Sequence, residues 1–180
     1  MFVYPAFALE GYPNRDSTPY DKRYNIPEAH TILRGTLRYQ GNPQFMQALV
    51  DCGLLDETPQ AHLDAGAAPV SWPESLAKLF GTASDAATLR AEVLKRVKLD
   101  GEAGKRVLKG MSWLGFFSAD AQAPRKGTFL DSLAATLEDK MTYQAGERDM
   151  VLLQHTFEIE HANGDKVRIC WLAVCAAAYA

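Results

Sequence analysis

The 180 residues hold no run of about twenty apolar residues, so no helical membrane span is expected. Cysteine is scarce. Cys52, Cys170 and Cys175 are too few and too scattered for a disulfide scaffold, and no C-x-x-C occurs, so neither a structural zinc site nor any other metal is expected. No G-x-G-x-x-G is present, which excludes the usual dinucleotide-binding turn from these residues. The N-terminus lacks a basic region followed by an apolar core, so no secretory signal is visible. With so few cysteines the expected compartment is reducing and cytoplasmic. Net charge is only -3, which gives no strong pull toward nucleic acid or anionic lipid; neither is expected as a partner.

What is present describes a folding chain. Hydrophobic residues make up 47%, well above the level of disordered sequences. The length suits one domain, or one with a subdomain, able to bury roughly 70% of its unfolded surface.

Residues 1–12 are mostly apolar or aromatic and suggest a strand. Residues 13–30 carry Pro13, Pro19 and Pro27 among polar residues, a loop long enough to suggest function. Residues 31–40 alternate: Leu33, Gly35, Leu37 and Tyr39 on one face, Ile32, Arg34, Thr36, Arg38 and Gln40 on the other. Asn42 and Pro43 open a helix with Phe45, Met46, Leu49 and Val50 as its stripe, and Gly53 ends it. Residues 56–70 read as loop. Ser71 and Glu74 form a capping-box pattern before a short helix ending near Gly81. Leu89, Val93, Leu94 and Val97 mark another helix, and Val107, Leu108, Met111 and Leu114 a third. Thr128 and Asp131 open a longer one, with Leu130, Leu133, Ala134, Leu137 and Met141 as its stripe. Alternation then returns: Val151, Leu153, His155, Phe157 and Ile159 share a face. Asn163-Gly164 signals a hairpin whose second strand starts at Lys166. The predicted fold is α+β, or mixed α/β, with a helical insertion over 56–125 and a C-terminal β-hairpin.

Arg34, Thr36 and Arg38 form the first chemical constellation. Positions i and i+4 on a strand stand roughly 13 Å apart. Two guanidiniums there can each hold a carboxylate through paired hydrogen bonds, and Thr36 adds a hydroxyl. A long ligand with several carboxylates suits that face. The competing reading, favoured by alternation alone, is a solvated face whose arginines pair with Asp or Glu. The second constellation is Tyr12-Pro13-Asn14-Arg15-Asp16-Ser17, a turn that offers a cation, an anion and a hydroxyl. Its plainer reading is an Asx turn at Asp16. His155 on its apolar face reads as a core histidine, and His30, His62 and His161 as surface residues. Glu147-Arg148-Asp149 reads as a charged turn. Lys95, Arg96, Lys98, Lys105 and Arg106 read as a solvated helix face. No catalytic acid or base is assignable.

Four blocks, in order and at compatible spacing, resemble the saccharopine dehydrogenases that form L-glutamate with NADP, also called saccharopine reductases. They are F-A-L-E-G-Y-P-N-R-D-S (Phe7–Ser17), I-P-E-A-H-T-I-L-R-G-T-L-R-Y-Q (Ile26–Gln40), W-L-G-F-F-S (Trp113–Ser118) and G-E-R-D-M-V-L-L-Q-H (Gly146–His155). The similarity runs from about residue 5 to residue 164. It implies a substrate-binding mixed α/β domain over 1–55 and 126–180, and a helical subdomain over 56–125. It implies an oxidoreductase that joins 2-aminoadipate 6-semialdehyde to glutamate through an imine and reduces it with NADPH to saccharopine in lysine biosynthesis, or a bifunctional relative that runs the reverse in lysine breakdown. By the same resemblance Arg15 holds a substrate carboxylate, Arg38 supplies a charge-assisted bond, Leu37 a backbone group, and Thr36 lies in the same contact. Arg34 gains no ligand role and could equally pair with Asp16. A homodimer is compatible with the family.

Two departures shape the expectation. The family's Gly-rich turn for NADP does not precede Met1, and from about Val167 the residues R-I-C-W-L-A-V-C-A-A-A-Y-A look unlike the family's continuation. The chain is therefore expected to be a fragment, inactive alone, or a non-catalytic remnant.

Overall fold

The structure is a computed structural model that describes residues 7–13 and 16–178. It divides into two compact units, one up to Lys140 and one from Met141.

In the first unit, β1 (Leu9–Pro13) and β2 (Gly35–Tyr39) pair antiparallel, Leu9 opposite Tyr39 and Pro13 opposite Gly35. Between them lies the proline-bearing segment, which contains a short helix, α1 (Tyr20–Arg23), where the sequence suggests only loop. Ser-Thr-Pro before Tyr-Asp is a helix-start signal, but four residues give too little apolar periodicity to register. A Cβ on Gly35 would stand 2.8 Å from the Tyr12 carbonyl oxygen, a backbone atom. Gly35→Ala is therefore expected to splay the strand ends at a cost of about 1 kcal/mol, the lower end for overpacking. Amide exchange should quicken at the Pro13–Gly35 end and stay unchanged in the helical core.

Gly41, with φ of 90°, turns the chain out of β2 into α2 (Asn42–Asp51), so the N-cap is Gly41 and the expected Asn42 falls inside the helix. Helices α3 (Trp72–Phe80), α4 (Ala86–Val97), α5 (Gly101–Leu114) and α6 (Phe129–Met141) follow. The Ser71–Glu74 capping box is present. The Ser71 N–H donates to Glu74 Oε2 at 2.9 Å, and the Glu74 N–H to Ser71 Oγ at 3.4 Å. Asp85 caps α4 through the Thr88 N–H at 2.9 Å. These bonds hold both carboxyls below their ordinary values, so their contribution is present above the usual carboxylate range and fades as pH falls through the lowered values.

One apolar core joins α2 to α6. It includes Leu49, Leu54, Leu63, Trp72, Leu76, Leu89, Val93, Val107, Met111, Phe116, Phe129 and Leu133. Residues 70–72 and 121–123 clip together: the Trp72 N–H donates to the Ala121 carbonyl at 2.8 Å and the Ala123 N–H to the Val70 carbonyl at 2.9 Å. The α6 stripe differs from the expected one. Phe129, Ser132, Leu133 and Thr136 are buried, whereas Ala134 and Met141 are exposed. The hydroxyls allow this rotation, since Ser132 Oγ donates to the Thr128 carbonyl at 2.7 Å and Thr136 Oγ1 to the Ser132 carbonyl at 3.0 Å. A buried hydroxyl satisfied one turn back costs little, so the apolar pattern misplaces the face.

Cys52 lies in this core, and burial pushes its thiol up to about 12. Thiolates, not thiols, react with alkylating agents. At pH 8 iodoacetamide is expected to label the exposed Cys170 and Cys175 and to spare Cys52 until the chain unfolds.

The second unit is a hairpin, β3 (Arg148–Glu160) with β4 (Lys166–Ala178), Arg148 opposite Ala178 and Glu160 opposite Lys166. The Gly164 N–H donates to the His161 carbonyl at 2.8 Å, and the Asp165 N–H to Asn163 Oδ1 at 3.1 Å, so Asn163-Gly164 builds the turn as the sequence suggests. The register sets Val151, Leu153, His155, Phe157 and Ile159 opposite Cys175, Ala173, Trp171, Ile169 and Val167. Glu158–Arg168 and Glu160–Lys166 ion pairs lie on the other face, at 3.6 and 3.2 Å.

Candidate functional site

Of the site residues named from sequence, Thr36, Leu37 and Arg38 fall on β2. Arg15 lies outside the described residues, as does Asn14. Thr36, Leu37 and Arg38 occupy the middle of β2, half-buried, half-buried and exposed respectively. Arg38 Nη1 donates to Thr36 Oγ1 at 2.9 Å and to the Leu37 carbonyl at 2.8 Å. The three residues therefore form one local unit, in which Thr36 and Leu37 hold one corner of the guanidinium. Among the described residues its Nε and Nη2 have no hydrogen-bond partner. That edge is the one that can grip a carboxylate through two parallel bonds.

Glu10 stands directly across from Arg38 on β1, the position where a cross-strand ion pair is expected. No such pair forms among the described residues. Glu10 Oε1 instead accepts from the Gly41 N–H at 3.2 Å, at the start of α2. The partially positive helix start offers the acid an alternative. The bland reading of Arg38, a surface cation neutralised by an acid, is thus not what the structure has. Glu10 lies in the Phe7–Ser17 block, but only strand register reveals its relation to Arg38.

Arg34 precedes β2 and does not pair with Asp16. Asp16 accepts from the Thr18 N–H at 2.9 Å and the Thr18 hydroxyl at 2.8 Å, the Asx turn anticipated for it, and these bonds hold its carboxyl below the ordinary value. Arg34 donates to the Tyr20 hydroxyl and lies 5.1 Å from that ring's centroid. Sequence reading missed Tyr20 altogether.

The other candidates settle as structure or surface. His62 is half-buried, not a surface residue: its Nε2 meets the buried Ser75 Oγ at 2.9 Å, and burial, with Lys78 nearby, lowers its pKa. His155 is exposed, not a core residue, with its ring 5.3 Å from that of Trp171. Lys95 and Arg96 pair with Glu92, and Lys105 with Glu102. Glu147 accepts from the Gln144 N–H and Asp149 from the Tyr143 hydroxyl, as in a solvated charged turn. Among the described residues no three His, Cys, Asp or Glu side chains are placed to hold a metal, and no helix is long and apolar enough to cross a membrane.

A dinucleotide needs a parallel β-α-β crossover with a Gly-rich turn at the helix start. Both described strand pairs are antiparallel, and the sequence has no such turn. These residues do not fit NADP.

A short antiparallel strand pair leading into a helical layer, with a guanidinium at its surface that meets no acid among the described residues, defines an α+β module. The chain belongs to the saccharopine dehydrogenase C-terminal domain family, whose model matches residues 1–179. That match runs past Val167, where the similarity was expected to stop. The chain is 48% identical over 177 residues to the Schizosaccharomyces pombe saccharopine dehydrogenase [NADP(+), L-glutamate-forming], which covers 95% of this chain and 38% of that protein. It is 39% identical to the bovine mitochondrial alpha-aminoadipic semialdehyde synthase, over 91% of this chain and 17% of that one. Its fold matches apo histidine-tagged saccharopine dehydrogenase (L-Glu forming) from Saccharomyces cerevisiae with a TM-score of 0.89 and 42% identity, over 98% of this chain and 39% of that one. The chain thus spans under two-fifths of the length of the dehydrogenases it matches.

Proposed function

We propose that these residues are the substrate-holding portion of a saccharopine reductase. The complete enzyme would condense glutamate with 2-aminoadipate 6-semialdehyde and reduce the imine with NADPH, giving saccharopine for lysine biosynthesis. The observation that carries the reading is Arg38. Its free guanidinium edge, undiverted by Glu10, suits a ligand with three carboxylates. Arg15 would take a second carboxylate, Thr36 would orient Arg38 and contact the same part of the ligand, and the Leu37 carbonyl would fix the guanidinium plane. Residues 1–55 and 126–180 would build the substrate domain, with 56–125 as its helical subdomain. The cytoplasm is the proposed location, in keeping with three unpaired thiols, and a homodimer the assembly to test.

A second reading, the dehydrogenase half of a bifunctional lysine-degrading enzyme, draws on the 39% bovine match but is weaker than the 48% match to the single-function enzyme. The direct test is calorimetry of saccharopine against this chain, beside an assay of NADPH oxidation with glutamate and the semialdehyde. Binding without turnover is expected, since the residues do not fit NADP. Absence of binding would overturn the substrate role, and any turnover the inactivity of the chain alone.

A further inference from the structure

Tyr20 is buried, with 6% of its surface exposed, although it sits in a proline-bearing segment whose neighbours are mostly exposed. Two cations flank its ring: Arg34 at 5.1 Å from the centroid and Arg23 at 5.5 Å. The Tyr24 ring stands 5.2 Å away. The Tyr20 hydroxyl, the polar atom of this buried side chain, accepts from Arg34 Nη1. Arg34 belongs to the strand entrance, and Tyr20 to α1, fourteen positions earlier in the chain.

The segment needs such a tie. Its base is closed where Pro13 pairs with Gly35. Its own bonds are short-range turns: the Tyr24 N–H to the Tyr20 carbonyl at 2.9 Å, the Ile26 N–H to the Asp21 carbonyl at 2.9 Å, and the Ala29 N–H to the Ile26 carbonyl at 3.0 Å. Turns of this kind fix local shape but not where the segment stands relative to β2. A planar guanidinium that both stacks on a ring and donates to its hydroxyl fixes distance and direction together.

We infer that Arg34 and Tyr20 form a clasp that sets the position of residues 16–30 against the entrance of β2. Tyr20 is then a positioning residue for the substrate site, and Arg34 its partner and not a ligand. The consequence for binding rests on the function proposed above. A loosened clasp frees residues 16–30 from the entrance of β2, the strand that carries Arg38.

The test compares Tyr20→Phe, Arg34→Lys, Arg34→Met and the Tyr20→Phe/Arg34→Met double variant. Amide exchange in peptides covering 18–30 and saccharopine calorimetry are the readouts. Arg34→Met is expected to speed exchange in 18–30 by about tenfold, the loss of one charged hydrogen bond and its stacking. Exchange in α3 to α5 stays unchanged. Arg34→Lys keeps the cation and a donor and recovers part of the protection. The double variant loses no more than Arg34→Met, because both changes cut the same tie. Saccharopine affinity falls in step with protection across the series. Unaltered exchange in Arg34→Met, a lysine no better than methionine, or additive losses in the double variant overturns the clasp. So does an affinity that drops in Arg34→Met while exchange holds, which makes Arg34 a ligand. If the unmodified chain binds no saccharopine, the substrate reading fails, and the exchange series still decides the clasp.

Discussion

Trp72→Ala is expected to destabilise the helical unit by about 3–5 kcal/mol, the range for deleting a large buried aromatic. Trp72 is the first residue of α3 and only 1% exposed. Its ring packs 4.6 Å from that of Phe116, which follows α5, and its backbone N–H is one half of the clip to residues 121–123. The side chain thus fills the point where α3 meets the chain leaving α5, and alanine leaves a cavity that the clipped backbone cannot close. For a unit of this size the loss lowers Tm by roughly 6–20 °C in scanning calorimetry. The indole Nε1 has no partner among the described residues, so Trp72→Phe, which removes that buried donor and keeps an aromatic ring, is expected to cost much less. Equal losses in the two variants would show that volume at this position does not support the core.

Arg38→Ala is expected to weaken saccharopine binding by about 1.5–3 kcal/mol, or roughly 10- to 150-fold in Kd. The substitution removes the guanidinium and leaves Thr36 and the Leu37 carbonyl facing water, where both find new partners. Stability should therefore barely change. Arg38→Lys keeps the charge but not the two-pronged edge, and should recover only part of the affinity. Full affinity in Arg38→Ala, measured by calorimetry, would remove this residue from the binding face. Glu10→Gln gives a complementary reading. It keeps an oxygen for the Gly41 N–H but lifts a negative charge opposite Arg38, and should tighten binding modestly.

Much of the architecture was legible because it rests on short-range rules. The Ser71–Glu74 capping box, the stop at Gly53, the Asx turn at Asp16 and the Asn163-Gly164 hairpin each depend on neighbours within a few residues. The α6 face was not legible. Ser132 and Thr136 look polar in a sequence, yet each returns its proton to a carbonyl one turn back and buries at little cost. Nor was α1, too short for periodicity to show. The histidines went astray in both directions: His62 is drawn inward by Ser75, and His155 is exposed on an apolar strand face.

At the site, Thr36, Leu37 and Arg38 could be named from the strand alternation and the family resemblance together. Their order in one strand guarantees their proximity. What became of the two arginines could not be known that way. Arg34 and Arg38 occupy equivalent positions in the alternation, but one is tied to Tyr20 and the other is exposed, with an edge that meets no partner among the described residues. Glu10 could have neutralised Arg38 and instead accepts from the Gly41 N–H. The sequence by itself determined most of the elements and the kinship, because hydrophobic period and turn chemistry act along the chain. Only the tertiary structure decided which charge is spent and which remains available, because that depends on strand register and on competition among partners brought together by folding.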